Sequence, residues 1–199
     1  MKKIVCHGDS LTEAADLGKG YVWTTLVENR LGLEIINSGI GGDTSGGLLS
    51  RFYPDAIQHQ PDMIMIMAGT NDLWWNLEIN TIQANIYAMA CQARHHDIIA
   101  LVGLPPPILS ARARKQDFMA PAAGYANLER KLSKLVKALA LSAKESDIAC
   151  IDFYHLFFDK KGKVSPGLFL EDGLHPNAEG NRIMAASTVE HLQELFFFA

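Results

Sequence analysis

Short apolar runs alternate with segments of helical periodicity along the whole chain. Ile4-Val5-Cys6 and Glu34-Ile35-Ile36-Asn37 are strand candidates, and Met63-Ile64-Met65-Ile66-Met67 is a continuous apolar run, as expected of a strand covered on both faces. Two further runs, Ile98 to Val102 and Ile148 to Ile151, bring the strand candidates to five. Between them apolar residues recur at steps of three and four. Val22, Trp23, Leu26, Val27 and Leu31 form one such stripe, and Ile79, Ile82, Ile86, Met89 and Ala93 a second. Tyr125, Leu128, Leu132, Leu135 and Leu139 form a third. Pro176 is expected to open a last helix that Ile183 to Leu195 continues, because proline is tolerated in a first helical turn.

Strand and helix in alternation predict an α/β fold, a parallel sheet with helices on both faces. In open sheets of this kind ligands bind beyond the carboxyl ends of the strands. Residues that carry chemistry should therefore lie just after strands. Four polar, glycine-containing clusters do: Gly8-Asp9-Ser10-Leu11-Thr12, Gly39 to Ser45, Gly69-Thr70-Asn71-Asp72, and Asp172-Gly173-Leu174-His175-Pro176. Unrelated solvent loops would have no reason to favour one edge.

These clusters hold the parts that ester cleavage needs. A serine hydroxyl is a weak nucleophile until a base takes its proton, and a histidine neutral near pH 7 suits that task. A carboxylate on the other ring nitrogen fixes the tautomer and stabilises the imidazolium. Ser10 is the candidate nucleophile, His175 the base and Asp172 its partner; Gly173 allows a tight turn between them and Pro176 holds His175 extended. Each donor aimed at the developing oxyanion is worth roughly 3–4 kcal/mol. The N–H of Ser10, the N–H of Gly42 and the side-chain amide of Asn71 are the candidates for that site.

The four blocks, in order from residue 8 to residue 176, resemble those of the SGNH hydrolases, also called GDSL esterases and lipases. The resemblance implies a single domain over residues 1–199, flavodoxin-like, with three α/β/α layers and a five-stranded parallel sheet. It implies acyl-ester hydrolysis through an acyl-enzyme, with no cofactor and no metal. By matching position it assigns the same roles to Ser10, Asp172, His175, Gly42 and Asn71. It leaves the substrate open among acyl esters of the lipase and lysophospholipase kind, carbohydrate acetyl groups and thioesters. A catalytically silent ligand-binding domain is the rival outside enzymes. Two neighbouring motifs are absent: Thr12 stands where an α/β-hydrolase elbow needs glycine, and Gly47 where a phosphate loop needs lysine.

Composition narrows the picture. The 199 residues carry a net charge of -4 without a basic stripe, which argues against nucleic acid as a partner. The amino-terminal Lys2-Lys3 pair precedes too few apolar residues for a signal-peptide core, and no window reaches a membrane span, so a cytoplasmic protein without stable membrane insertion is expected. Cys6, Cys91 and Cys150 read as small buried residues of a reducing compartment. His7 reads as structural, His95 and His96 as helix-end residues, and Asp9 as a turn former in a supporting role. Trp74 and Trp75 are candidates either for a pocket wall or for ordinary packing. The irregular stretch 104–121 is expected to overhang the site; within it Arg112, Arg114 and Lys115 are solvated or meet an anionic substrate. The Phe196–Phe198 end would close the core or support a homo-oligomer.

Overall fold

A computed structural model describes residues 3–116 and 119–197, without the side chains of 196 and 197. Five strands form one sheet: β1 (Lys3–Gly8), β2 (Glu34–Gly39), β3 (Met63–Met67), β4 (Ile99–Leu104) and β5 (Ala149–Asp152). Their order is β2-β1-β3-β4-β5 and every pairing is parallel. Ile4 aligns with Ile35 on one side and Met63 on the other, and Met63 aligns with Ile99. The helices are α1 (Ser10–Glu13), α2 (Trp23–Leu31), α3 (Ser45–Asp55), α4 (Thr70–Trp74), α5 (Ile79–His95), α6 (Ser110–Ala113), α7 (Tyr125–Glu145) and α8 (Ala178–Phe197).

The apolar run of β3 is explained by its two neighbours. Strand residues alternate between faces. Ile64 and Ile66 pack with Leu48, Phe52, Ile82, Ile86, Leu132 and Leu135 from α3, α5 and α7. Met63, Met65 and Met67 pack on the other face with Trp23, Val27, Met184 and Leu192 from α2 and α8. Both faces are thus dry, and β3 is buried along its length. The flavodoxin-like three-layer α/β/α expectation holds. The strand order reverses between β1 and β3, so a crevice opens at their carboxyl ends.

Two sequence expectations need correction. Helix α8 begins at Ala178, not Pro176: Asn177 Oδ1 accepts the N–H groups of Glu179 and Gly180, both at 3.0 Å, and so caps the helix one residue after the proline. Pro176 instead bridges Phe169. Cys91 is exposed, because Met89, Ala90 and Ala93 occupy the inward face of α5 and position 91 faces out. Cys6 is buried, and burial pushes its thiol up to about 12, whereas Cys150 is half-buried. No helix among the described residues is long and apolar enough to cross a membrane. The expectation for Phe196–Phe198 falls outside the described side chains.

Candidate active site

Strand β1 ends at Gly8 and the chain turns at once into α1. Asp9 caps that helix, its Oδ1 accepting the Leu11 N–H at 2.9 Å, so Ser10 becomes the first helical residue at the rim of the sheet. Trp23 pins the turn from below through Nε1–H donation to the Leu11 carbonyl at 3.1 Å. At the other end of the chain, Asp172 Oδ1 accepts the N–H groups of Leu174, at 2.8 Å, and His175, at 3.0 Å. That local turn aims its second oxygen at the ring it precedes: Oδ2 lies 2.6 Å from His175 Nδ1. The opposite ring nitrogen, Nε2, lies 2.8 Å from Ser10 Oγ. With Nδ1 protonated towards Asp172, the serine hydroxyl donates to Nε2. Residues 165 positions apart thereby join one hydrogen-bonded chain.

The electrostatics follow from these contacts. Burial alone would raise the Asp172 carboxyl, but the hydrogen bonds from the His175 ring, the His175 N–H and the Leu174 N–H outweigh it and hold Asp172 down at about 2. Burial alone would lower His175. The bond to Asp172 and the charges of Asp172, Asp16 and Asp9 overcome it, and the imidazole is raised above its ordinary value. Asp9 itself is pushed up to about 7, chiefly by burial; its Oδ2 is buried with no hydrogen-bond partner among the described residues.

A cleft of about 580 Å³ opens over this chain of groups, lined by Ser10, His175 and Asp172 together with Gly41, Gly42, Asn71, Trp74, Trp75, Leu174 and Gln116. All five residues singled out from the sequence border it. Gly42 has φ +79°, a left-handed conformation that explains glycine there. Asn71 donates one amide hydrogen to the Asp43 carbonyl at 2.8 Å, and its second has no partner among the described residues and is available to the cleft its side chain borders. Behind it Asp72 is buried and accepts both the N–H and the hydroxyl of Ser45, joining the Gly42 loop to α4.

Other expectations resolve in detail. Trp74 and Trp75 both line the cleft, and Trp74 also stands edge-on to Tyr125. The 104–121 stretch contributes Gln116 to the lining. Arg112 is part-buried and does not line the cleft: its Nη1 donates to the carbonyls of Phe169, at 3.1 Å, and Leu170, at 2.8 Å, bracing the turn that carries His175. Arg114 lies over the Tyr125 ring. His7 is buried between Ser38 Oγ and the Leu48 carbonyl, and burial lowers it to about 4, a structural histidine.

Sequence reasoning missed Asp16. Its carboxylate, exposed just beyond α1, places an oxygen within 4.8 Å of ligand atoms of Asp172 and His175. Among the described residues this is the cluster whose donors could hold a metal ion, but two of its three members are already bonded to one another. No spacing rule links position 16 to position 172, so only the fold reveals it.

Known proteins resemble this chain in sequence and in fold. The model of the GDSL-like Lipase/Acylhydrolase family matches residues 6–183, and the chain belongs to that family. An acetylxylan esterase of Geobacillus stearothermophilus is 23% identical, the match covering 96% of this chain and 94% of that protein. Esterase TesA of Pseudomonas aeruginosa is 29% identical, over 85% of this chain and 77% of that one. Among solved structures, a GDSL-like lipase from Bacteroides thetaiotaomicron superposes with a TM-score of 0.77 at 26% identity, covering 98% of this chain and 89% of that one. A G-D-S-L family protein from Desulfitobacterium hafniense reaches 0.82 at 23% identity, over 96% and 99%.

Proposed function

We propose that the protein is a serine acyl-ester hydrolase working through an acyl-enzyme at Ser10. One observation carries the reading: an unbroken hydrogen-bonded chain from Ser10 through His175 to Asp172, opening on a cleft that Gly42 and Asn71 also line. Ser10 Oγ attacks the ester carbonyl while its proton passes to His175 Nε2. Asp172, ionised at any working pH, holds the Nδ1 proton and stabilises the imidazolium. The negative oxygen of the tetrahedral intermediate accepts hydrogen bonds from the N–H groups of Ser10 and Gly42 and from the Asn71 amide. His175 then protonates the leaving alcohol, and water activated by the same ring releases the acid.

Trp74, Trp75, Leu11 and Leu174 give the cleft apolar walls suited to an acyl or aryl group. Removal of acetyl groups from carbohydrate is the second reading, favoured by the likeness to an acetylxylan esterase. Comparing nitrophenyl acetate, nitrophenyl octanoate and acetylated xylan separates the two. The mechanism is tested by Ser10→Ala, which should abolish turnover of short-chain nitrophenyl esters and leave thermal unfolding unchanged. Wild-type rates in that variant would refute it.

A further inference from the structure

Asp43, Gly47 and Arg51 are spaced four apart, and Gly47 and Arg51 share one face of α3. Asp43 precedes that helix and folds back over the same face. Its carboxylate rests directly on Gly47, where an added Cβ would meet Asp43 Oδ1 at 1.7 Å. There it accepts the Thr44 N–H at 2.9 Å and the Arg51 Nε–H at 2.7 Å.

The rest of the Arg51 guanidinium reaches the carboxyl ends of two strands, β1 and β2, and Asp55 of its own helix. Nη2 donates to the Gly8 carbonyl at 2.9 Å, at the end of the strand that delivers Ser10. Nη1 donates to the Ser38 carbonyl at 3.1 Å, to Ser38 Oγ at 3.0 Å and to Asp55 at 3.1 Å. The side chain is 15% exposed and that of Asp43 14%, so the pair is shielded from most of the solvent screening that weakens surface ion pairs. The backbone carbonyl of Asp43 meanwhile accepts the Asn71 amide hydrogen at 2.8 Å. A planar, five-donor group on a single helix therefore reaches the end of β1 just before the nucleophile, the end of β2, and the residue that orients Asn71.

We propose that Arg51, acting through Asp43, is a positioning residue that sets the direction of the Asn71 amide and the distance between the Asn71 and Ser10 loops. It touches no substrate. Its loss lets the Asp43 carbonyl drift and with it the free N–H of Asn71. Because transition-state stabilisation depends on donors held in place beforehand, a displacement of 1 Å lowers the rate by about 10²-fold. The inference rests on the oxyanion role given to Asn71 above.

The test is a double-mutant cycle on a short-chain nitrophenyl ester, with kcat and KM measured for Arg51→Gln, Asn71→Ala and the combination, and thermal unfolding recorded for each. The expected result is a kcat lowered by about 10²-fold in Arg51→Gln with KM within about twofold of wild type, and no further loss when Asn71→Ala is added, because both changes remove the same interaction. Asp43→Asn is the milder companion. It keeps the backbone carbonyl and the side-chain shape but not the ion pair, so it carries the same cycle if Arg51→Gln does not fold. An impaired Asn71→Ala enzyme beside a folded Arg51→Gln enzyme of full kcat, or beside losses that multiply, would overturn this inference alone. An Asn71→Ala enzyme of full kcat would overturn the oxyanion reading and this inference with it.

Discussion

Replacing Gly173 by alanine isolates how the catalytic turn is held. Gly173 sits between Asp172 and His175 with φ +69°, and a Cβ there would lie 2.6 Å from the Leu109 carbonyl oxygen, 2.9 Å from Arg112 Cβ and 3.0 Å from the Ala113 N. Two of these three atoms are backbone and cannot swing aside. Gly162 provides the control, because it has φ +73° but nothing within 4 Å of its would-be Cβ. Left-handed backbone costs a non-glycine residue about 1 kcal/mol at either site. Overpacking adds about 1–3 kcal/mol at Gly173 alone. For a chain of this size each kcal/mol lowers Tm by about 2–4 °C. Gly162→Ala should therefore lose about 2–4 °C and Gly173→Ala about 4–16 °C. The clash also drives the turn away from α6, breaking the 2.7 Å bond from the Leu109 N–H to the Gly173 carbonyl and lengthening the His175–Ser10 contact. Gly173→Ala should thus lose up to about 10²-fold in kcat while Gly162→Ala keeps its rate. Thermal unfolding by circular dichroism with kcat on a nitrophenyl ester reads both effects. Equal Tm losses, with kcat unchanged in Gly173→Ala, would refute the packing argument.

Further outcomes concern pH. Burial opposes the charge on His175, but the Asp172 bond and the Asp172 and Asp16 charges prevail, so the base stays protonated above its ordinary 6.5 and the acid limb of kcat/KM should fall above that pH. Asp16→Asn removes one of those negative charges, so the limb should move to lower pH with its plateau intact; an unmoved limb would remove Asp16 from the site's electrostatics. The buried Asp9 carboxyl is raised from 3.8 to about 7, so between those values the folded state holds a proton that the unfolded chain has lost, and stability should decline as pH rises through that window. Asp9→Asn abolishes this contribution and should flatten the Tm–pH curve there; parallel curves for the two proteins would contradict it.

Much of the site was legible because its parts sit in contiguous blocks with local causes. Asp172 and His175 meet through a turn only four residues long, and β3 announces two covered faces by its uninterrupted Met and Ile run. The start of α8 departs from the sequence expectation because proline is a good first-turn residue, while the neighbouring Asn177 side chain is a better cap and decides the boundary. Cys91 departs from the expectation because apolar neighbours in sequence are not neighbours on a helix face. Asp16 and Arg51 were illegible for a different reason. Neither lies in a motif, and each acquires its role from atoms on other elements that the fold brings near: Asp172 and His175 for the first, Gly8, Ser38 and Asp43 for the second. The sequence leaves Arg112 between solvent and substrate because its carbonyl partners are 57 and 58 residues away.

The nucleophilic character of Ser10 is read most directly by covalent capture. Intact-mass spectrometry after exposure to an organophosphonate should find a single adduct, mapped by peptide analysis to Ser10 and lost in both Ser10→Ala and His175→Ala. An enzyme that hydrolyses esters yet takes no adduct at Ser10, or takes it at another residue, would contradict the account.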